Sequence, residues 1–165
     1  MSKELPVARL PKPNGAQLLK SLVGSTLGIG AVAWLSAYTG YELLMAAFGA
    51  TCVLLFAIPD APLAQPRNVI GGHLLATFVG LVFFQFGWDS HFAMGLSVGL
   101  AIALMMATQT LHPPAGGNPI VVLLSTHMNW SFLIFPVLIG AVVLVALAII
   151  VNNIARPVRW PRYWW

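Results

Sequence analysis

Residues 111–120 read LHPPAGGNPI, and the behaviour of this stretch decides the fold. It sets Pro113, Pro114 and Pro119, with Gly116 and Gly117, inside an otherwise membrane-like apolar run. Each proline removes a backbone donor and clashes with the turn before it, and glycine permits angles that other residues resist, so no unbroken helix runs through. In hydrocarbon such a break is costly, because no water satisfies the freed amides and carbonyls. Non-helical backbone survives at that depth only where protein buries it or where it lines a wet cavity. His112 and Asn118 flank the break, one able to carry charge and the other able both to donate and to accept. Polar groups inside a membrane are functional candidates by default. The competing reading is a tight loop at the membrane surface with His112 as a wetted cap.

Composition places the chain in a bilayer. Of 165 residues, 59% are hydrophobic and only 7% charged, where soluble domains carry roughly 25% charged residues. The mean hydropathy is +0.86. One cysteine, Cys52, excludes an intrachain disulfide and any cysteine-rich metal site. The net charge of +4 is not a nucleic-acid patch, because Lys3, Arg9, Lys12 and Lys20 lie near the start, Arg156, Arg159 and Arg162 near the end, and only Arg67 between. Positive residues near membrane ends stay on the cytoplasmic side, so both termini are expected inside and the number of crossings even. A cleaved leader is not expected, since the apolar stretch continues past Ala31-Val32-Ala33. The expected setting is the inner (plasma) membrane of a bacterium.

From the start, residues 1–17 read as a basic cytoplasmic tail, residues 18–155 as one transmembrane domain and residues 156–165 as a basic, aromatic cytoplasmic tail. A first helix is expected over residues 17–38, with Gly24, Gly28 and Ala31 giving a smooth packing face. A second covers residues 41–58 and contains Thr51 and Cys52. In the irregular stretch that follows, Asp60 and Arg67 are the charges able to pair. A third helix starts at Asn68, which can cap it, and runs to about Phe86 with Gly71, Gly72 and His73 in its first turns. A fourth covers residues 92–110. Residues 111–128 must then either make a short crossing or re-enter as a hairpin, and a last helix covers residues 132–151. Trp160, Tyr163, Trp164 and Trp165 are expected at headgroup level.

The expected architecture is therefore an all-α, polytopic membrane helical bundle with four to five full spans plus a broken or re-entrant segment. A weak echo suggests two related halves of three segments each. At an offset of 69 residues Ala46 falls on Ala115, Val53-Leu54-Leu55 on Val122-Leu123-Leu124, and Ile70-Gly71 on Ile139-Gly140. An odd number of helices per half makes such halves inverted, a transporter signature with the substrate site between them.

The blocks PDAPLAQPRNVIGGH (59–73), LHPPAGGNP (111–119), WSFLIFPVLIGA (130–141) and VNNIARPVRWPRYW (151–164) resemble the HPP family of integral membrane proteins, named for the triplet that is His112-Pro113-Pro114 here. The family's usual HPPAGAN has Ala where this chain has Gly117. The resemblance implies a small helical membrane protein, usually described with four spans, with plant-plastid and cyanobacterial relatives linked to nitrite transport.

The expected function is membrane transport of a small inorganic anion, with nitrite the leading candidate. Such a compact monoanion needs a few donors and a positive potential, which half-helix N-termini beginning near Ala115 and Asn68 would supply. The pathway is assigned to His112, Pro113, Pro114, Gly116, Gly117 and Asn118 in the break, Arg67 and Asn68 at the inner mouth, and His73 and Thr51 on neighbouring helices. A histidine placed as His73 is, however, more often a hydrogen-bonded packing residue than a ligand. Protonation of His112 would make transport depend on pH. No cofactor, metal or enzymatic activity is expected, because His73, His112 and His127 are far apart in sequence and form no HxxxH or HExxH pattern. A non-transporting membrane scaffold is the alternative. The expected partners are the lipid bilayer, the anion and further copies of the chain in a homo-oligomer, with no nucleic acid.

Overall fold

The computed structural model describes residues 12–164. Among them are six α-helices and no strand, as an all-α bundle requires. Helix α1 spans Gly15–Thr39. Asn14 opens it with a reciprocal cap, its Oδ1 accepting from Gln17 N at 2.8 Å while Gln17 Oε1 accepts from Asn14 N at 2.8 Å. Gly40, at φ +74°, ends it in the left-handed region. Most of the tail expected over residues 1–17 lies outside the described residues.

Helix α2 is shorter than the sequence suggests. It covers Ala46–Cys52 and widens into a π-turn over Val53–Ala57, while Met45 before it is extended. Its twelve residues rise about 18 Å, short of a hydrocarbon core of roughly 30 Å. The π-turn frees the Leu55 carbonyl, which accepts from Asn152 Nδ2 at 2.9 Å. An asparagine near the end of the last helix thereby satisfies a helix defect elsewhere.

Helix α3, Pro66–Gln85, has its proline in the first turn, where a missing amide does no harm. Gln65 occupies the cap position, not Asn68, whose Nδ2 instead donates to Leu111 O at 2.9 Å. Helix α4, His91–Ala107, begins with Ser90 Oγ accepting from Ala93 N. Gln109, at φ +56°, then turns the chain into the break. Residues 113–117 form a 3-10 turn that runs into α5, Asn118–Leu123. After a loop, irregular turns over Trp130–Leu133 and Ile134–Leu138 lead into α6, Ile139–Asn153. Three stretches are long and apolar enough to cross a membrane, Gly15–Thr39, Pro66–Gln85 and Trp130–Asn153, and the α2 stretch and α4 are shorter apolar helices.

The contacts fix the directions of the four long helices. Lys20, near the start of α1, donates to Ile154 O just past α6. Asp60, before α3, pairs with Arg156 and Arg162 after α6. Arg67, at the start of α3, donates to Thr108 O at the end of α4. Hence α1 and α3 run away from one end of the molecule, and α4 and α6 run toward it. That end also gathers Lys12, Arg156, Arg159 and Arg162, so the described cations share one face of the bundle, as the positive-inside rule requires.

The halves correspond element by element. Shifted by 69 residues, α1 falls on α4, the α2 stretch on the 113–123 stretch, and α3 on α6. Corresponding helices run in opposite directions, and α1 packs on α6 as α4 packs on α3. This is the arrangement that an inverted repeat would give. Two apolar clusters fill the interior, one around Val32, Phe48, Leu55, Leu144 and Trp160, the other around Ala76, Val79, Phe83, Met105 and Leu123. Leu18, Leu22, Leu27 and Trp34 on α1, and Phe92, Leu96 and Met106 on α4, face outward, as lipid-facing residues do.

Candidate functional site

The break lies along α3 and runs in the direction of α3. Leu111 meets Asn68, His112 lies against Gly72, Asn118 reaches His73 and Thr77, and Pro119 with Val122 sits on Gly80. Of the two alternatives for residues 111–128, this is the short crossing and not the hairpin. Small residues on α3 permit the approach. A Cβ at Gly72 would stand 2.7 Å from His112 Cβ and 2.8 Å from Thr110 O, and one at Gly80 would stand 2.8 Å from Pro119 Cα. Gly116 and Gly117 contribute differently from expectation: neither has a positive φ and nothing lies within 4 Å of a Cβ built on either. The prolines and Gln109, not glycine freedom, make the break.

Four of the expected pathway residues meet. Thr51 of α2, His73 of α3, His112 of the break and Asn118 of α5 are all 0% exposed. Thr51 Oγ1 lies 2.9 Å from His73 Nε2 and 2.9 Å from His112 Nε2, and the two rings meet edge to face with centroids 5.0 Å apart. His112 Nδ1 lies 2.8 Å from Leu63 O, and His73 Nδ1 lies 3.0 Å from Asn118 Nδ2. Asn118 Nδ2 also donates to Thr77 Oγ1 at 2.8 Å. His73 sits about 10 Å along α3 from its first residue, within hydrocarbon depth. Phe48 closes the group from the other side, its ring edge-on to His73 at 5.3 Å and admitted by Gly140 of α6.

These partners assign the hydrogens. Leu63 O can only accept, so His112 carries its hydrogen on Nδ1 and leaves Nε2 as an acceptor. The Asn118 amide nitrogen can only donate, so His73 accepts at Nδ1 and carries its hydrogen on Nε2. Thr51 then accepts from His73, and its one hydrogen has two acceptors in reach, His112 Nε2 at 2.9 Å and the Ala47 carbonyl at 3.1 Å, of which the nearer is His112. The result is one directed chain: Asn118 to His73, His73 to Thr51, Thr51 to His112, His112 to Leu63. Both imidazoles are thereby satisfied while neutral, the economical state for buried polar groups. One atom is left over. Among the described buried side-chain atoms, Asn118 Oδ1 has no hydrogen-bond partner.

The remaining assigned residues lie at the edges. Asn68 holds Leu111 and accepts from Tyr163 Oη at 3.2 Å. Arg67 lies at the basic end, donating to Thr108 O at 2.8 Å, and does not pair with Asp60. Asp60 instead takes Arg162 Nε at 2.7 Å and an Arg156 guanidinium contact, because the C-terminal stretch folds back over residues 59–65. Trp160 belongs to that fold-back: it is 1% exposed and donates from Nε1 to Pro59 O at 2.9 Å. Pro113 is exposed and Pro114 half-buried on the outer side of the turn. The α5 helix has six residues, too short for the dipole expected at its start.

The sequence reading missed Thr77, Gln65 and the Leu63 carbonyl. Thr77 was legible, since it follows His73 by one helical turn and shares its face. Gln65, 0% exposed, donates to Pro59 O and Ala61 O and accepts from Arg162 N at 2.8 Å, tying the loop to the C-terminal stretch. Among the described residues no group of three or more His, Cys, Asp or Glu could hold a metal ion, and His127 is exposed on the loop before Trp130.

A family model described as HPP, transmembrane region, matches residues 10–161. A transmembrane protein of Dictyostelium discoideum is 34% identical, the match covering 80% of this chain and 54% of the relative. A second, from the same organism, is 35% identical over 74% of this chain and 42% of its own length. The chain thus spans about half the length of these curated relatives. No solved structure matches. With a family match over nearly the whole membrane region and the HPP triplet at the turn of the buried chain, the protein belongs to the HPP family of integral membrane proteins.

Proposed function

We propose that the chain transports a small inorganic anion, nitrite being the leading substrate, along the broken segment. The observation that carries this reading is the buried polar chain from Asn118 through His73 and Thr51 to His112, beside interrupted backbone at hydrocarbon depth. Polar side chains there are expensive unless they serve a pathway. The inverted relation of the halves supports the same reading, because the group joins α2 and α3 of the first half to the break and α5 of the second, where transporters of this architecture place their substrate. Nitrite itself rests on the resemblance and on its size and charge. We place the basic end, with both termini, in the cytoplasm of a bacterium, assign no enzymatic step, and assign further copies of the chain to the outward apolar faces of α1 and α4.

Anion entry into liposomes containing the purified chain tests the proposal, comparing nitrite, nitrate, formate and chloride. Wild type is expected to move nitrite well above protein-free liposomes. His112→Ala and Asn118→Ala, checked for intact folding, are expected to lose it. No movement of any anion, or variants equal to wild type, would leave the break a structural feature and favour a scaffold.

A further inference from the structure

Resting on the anion-pathway reading, we infer that the Asn118 amide is a proton-controlled anion contact, so that a monoanion crosses together with one proton held on His73. The starting point is a mismatch between the expected ligand and the groups on hand. An anion needs donors, yet every assigned N–H and O–H of the chain is engaged: Asn118 Nδ2 with His73 Nδ1, His73 O and Thr77, His73 Nε2 with Thr51, Thr51 with His112 and Ala47 O, and His112 Nδ1 with Leu63 O. The group left over is Asn118 Oδ1, an acceptor, which repels an anion.

A single proton reverses this. Protonated at Nδ1, His73 has two N–H groups and can no longer accept from Asn118 Nδ2, so the two donors would face each other. A half-turn of the amide removes the conflict at Nδ1, giving up the longer donation from Nδ2 to His73 O at 3.3 Å. Oδ1 then accepts from His73 Nδ1, and Thr77 Oγ1, now an acceptor for Nδ2 at 2.8 Å, can turn its hydrogen to Oδ1 instead. His73 Nε2 continues to donate to Thr51, and the rest of the chain to Leu63 O is unchanged. Nδ2 moves to the side Oδ1 had faced and brings two free hydrogens beside an imidazolium. The orphaned acceptor becomes a donor pair next to a positive charge, with no backbone movement.

The surroundings leave His73 to this role. The titratable group facing it is His112, across Thr51. From α2 it meets Thr51 and Phe48, and from α5 Asn118, which also bonds Thr77 one turn further along α3. Cys52 of α2 packs toward Gly28 of α1. The described carboxylates Glu42, Asp60 and Asp89 are exposed and make no contact with it. With no carboxylate to compensate an imidazolium, the arriving anion is the counter-charge, and proton and anion stabilise one another. The proton comes from solution, resides on Nδ1 while the anion is bound, and leaves with it, so the transfer is electroneutral.

The test reconstitutes the full chain in liposomes, sets the membrane potential with potassium and valinomycin, and follows nitrite and internal pH together, with protein-free liposomes giving the nitrous acid leak. Wild type is expected to bring in about one proton per nitrite above that leak, at a rate indifferent to potential. His73→Gln is expected to lower entry about tenfold. A second measurement needs neither transport nor the variant. Nitrite added to the detergent-solubilised wild type in weakly buffered solution should draw about one proton per bound anion from the medium. Nitrite entry that follows the potential without protons, or binding without proton uptake, overturns the amide switch and leaves anion transport standing. Absence of both entry and binding overturns the transport reading, and the switch with it.

Discussion

Two regions of the molecule join distant parts of the chain through polar groups, and they do so by opposite means. At depth, Thr51, His73, His112 and Asn118 connect α2, α3, α5 and the break with neutral groups, through directed hydrogen bonds. At the basic end, Asp60, Arg156 and Arg162 connect the 59–65 loop to the C-terminal stretch with full charges, Asp60 being 52% exposed. The difference follows from the solvent. A lone charge in a medium of low dielectric is prohibitively costly, so the interior uses direction, whereas at the wet end charges remain hydrated and direction matters little. The buried group should therefore be intolerant of shape changes and the exposed one forgiving.

The sharpest way to break this contrast is to move the buried group without changing its chemistry. Gly72→Val adds carbon where His112 Cβ and Thr110 O already stand closer than any real Cβ allows, and one contact is backbone. The break must lift off α3. The expected loss is about 3 kcal/mol or more, seen as a collapse of folded yield or of the melting temperature in detergent. Gly116→Ala, in the same turn with open space around it, should shift the melting temperature little. Equal losses at the two sites would mean that the turn, not its seating on α3, organises the region.

A second variant asks whether charge alone holds the basic end. Trp160 is 1% exposed, belongs to the apolar cluster around Leu55 and Leu144, and donates to Pro59 O. Trp160→Ala should cost about 3 kcal/mol, and freeing residues 156–164 should appear as new proteolytic cleavage there. If the fold-back survives, the ion pairs suffice to hold the basic end.

At depth, Asn118→Leu retains bulk and removes the amide. His73 Nδ1 and Thr77 Oγ1 each lose a partner, although the orphaned Oδ1 disappears as well, so the expected destabilisation is about 1–2 kcal/mol, measured by thermal unfolding in detergent. A stabilised variant would mean that the amide is kept for function against stability.

How much of this was legible in the sequence differs between the regions. The break announced itself, because three prolines in an apolar run have few structural explanations. So did the partners His112, Asn118, His73 and Thr51, as polar residues in apolar surroundings. Their assembly was not legible: Thr51 and His112 are 61 residues apart, and only the seating of the break on Gly72 and Gly80 brings them together. Helix α2 was overread because Leu43, Leu44 and Met45 are as apolar as a helix, and hydropathy does not register that the chain is not helical before Ala46. Asp60 was matched with Arg67 by nearness in sequence, whereas Arg156 and Arg162 arrive from far along the chain. The burial of Trp160 was not legible either, because nothing local marks Pro59 and Asn153 as its partners.

The smallest effect belongs to Asp60. Partial burial pushes its carboxyl up, but the hydrogen bond from Arg162 and the charge of Arg156 outweigh this and hold it below the usual carboxylate range. A carboxyl lowered in the folded chain contributes stability above its unfolded value of about 3.9, and loses it as pH falls through the lower folded value. The clasp should thus be whole at neutral pH and open only in acid, the reverse of a group whose value is raised. Because the carboxylate is half exposed, Asp60→Asn should cost less than about 1 kcal/mol at neutral pH, and the difference from wild type should shrink in high salt. Thermal unfolding of both proteins at neutral and acid pH measures it. A large, salt-independent loss would show that the end clasp is dry in practice, and the two regions would then differ in charge but not in solvent.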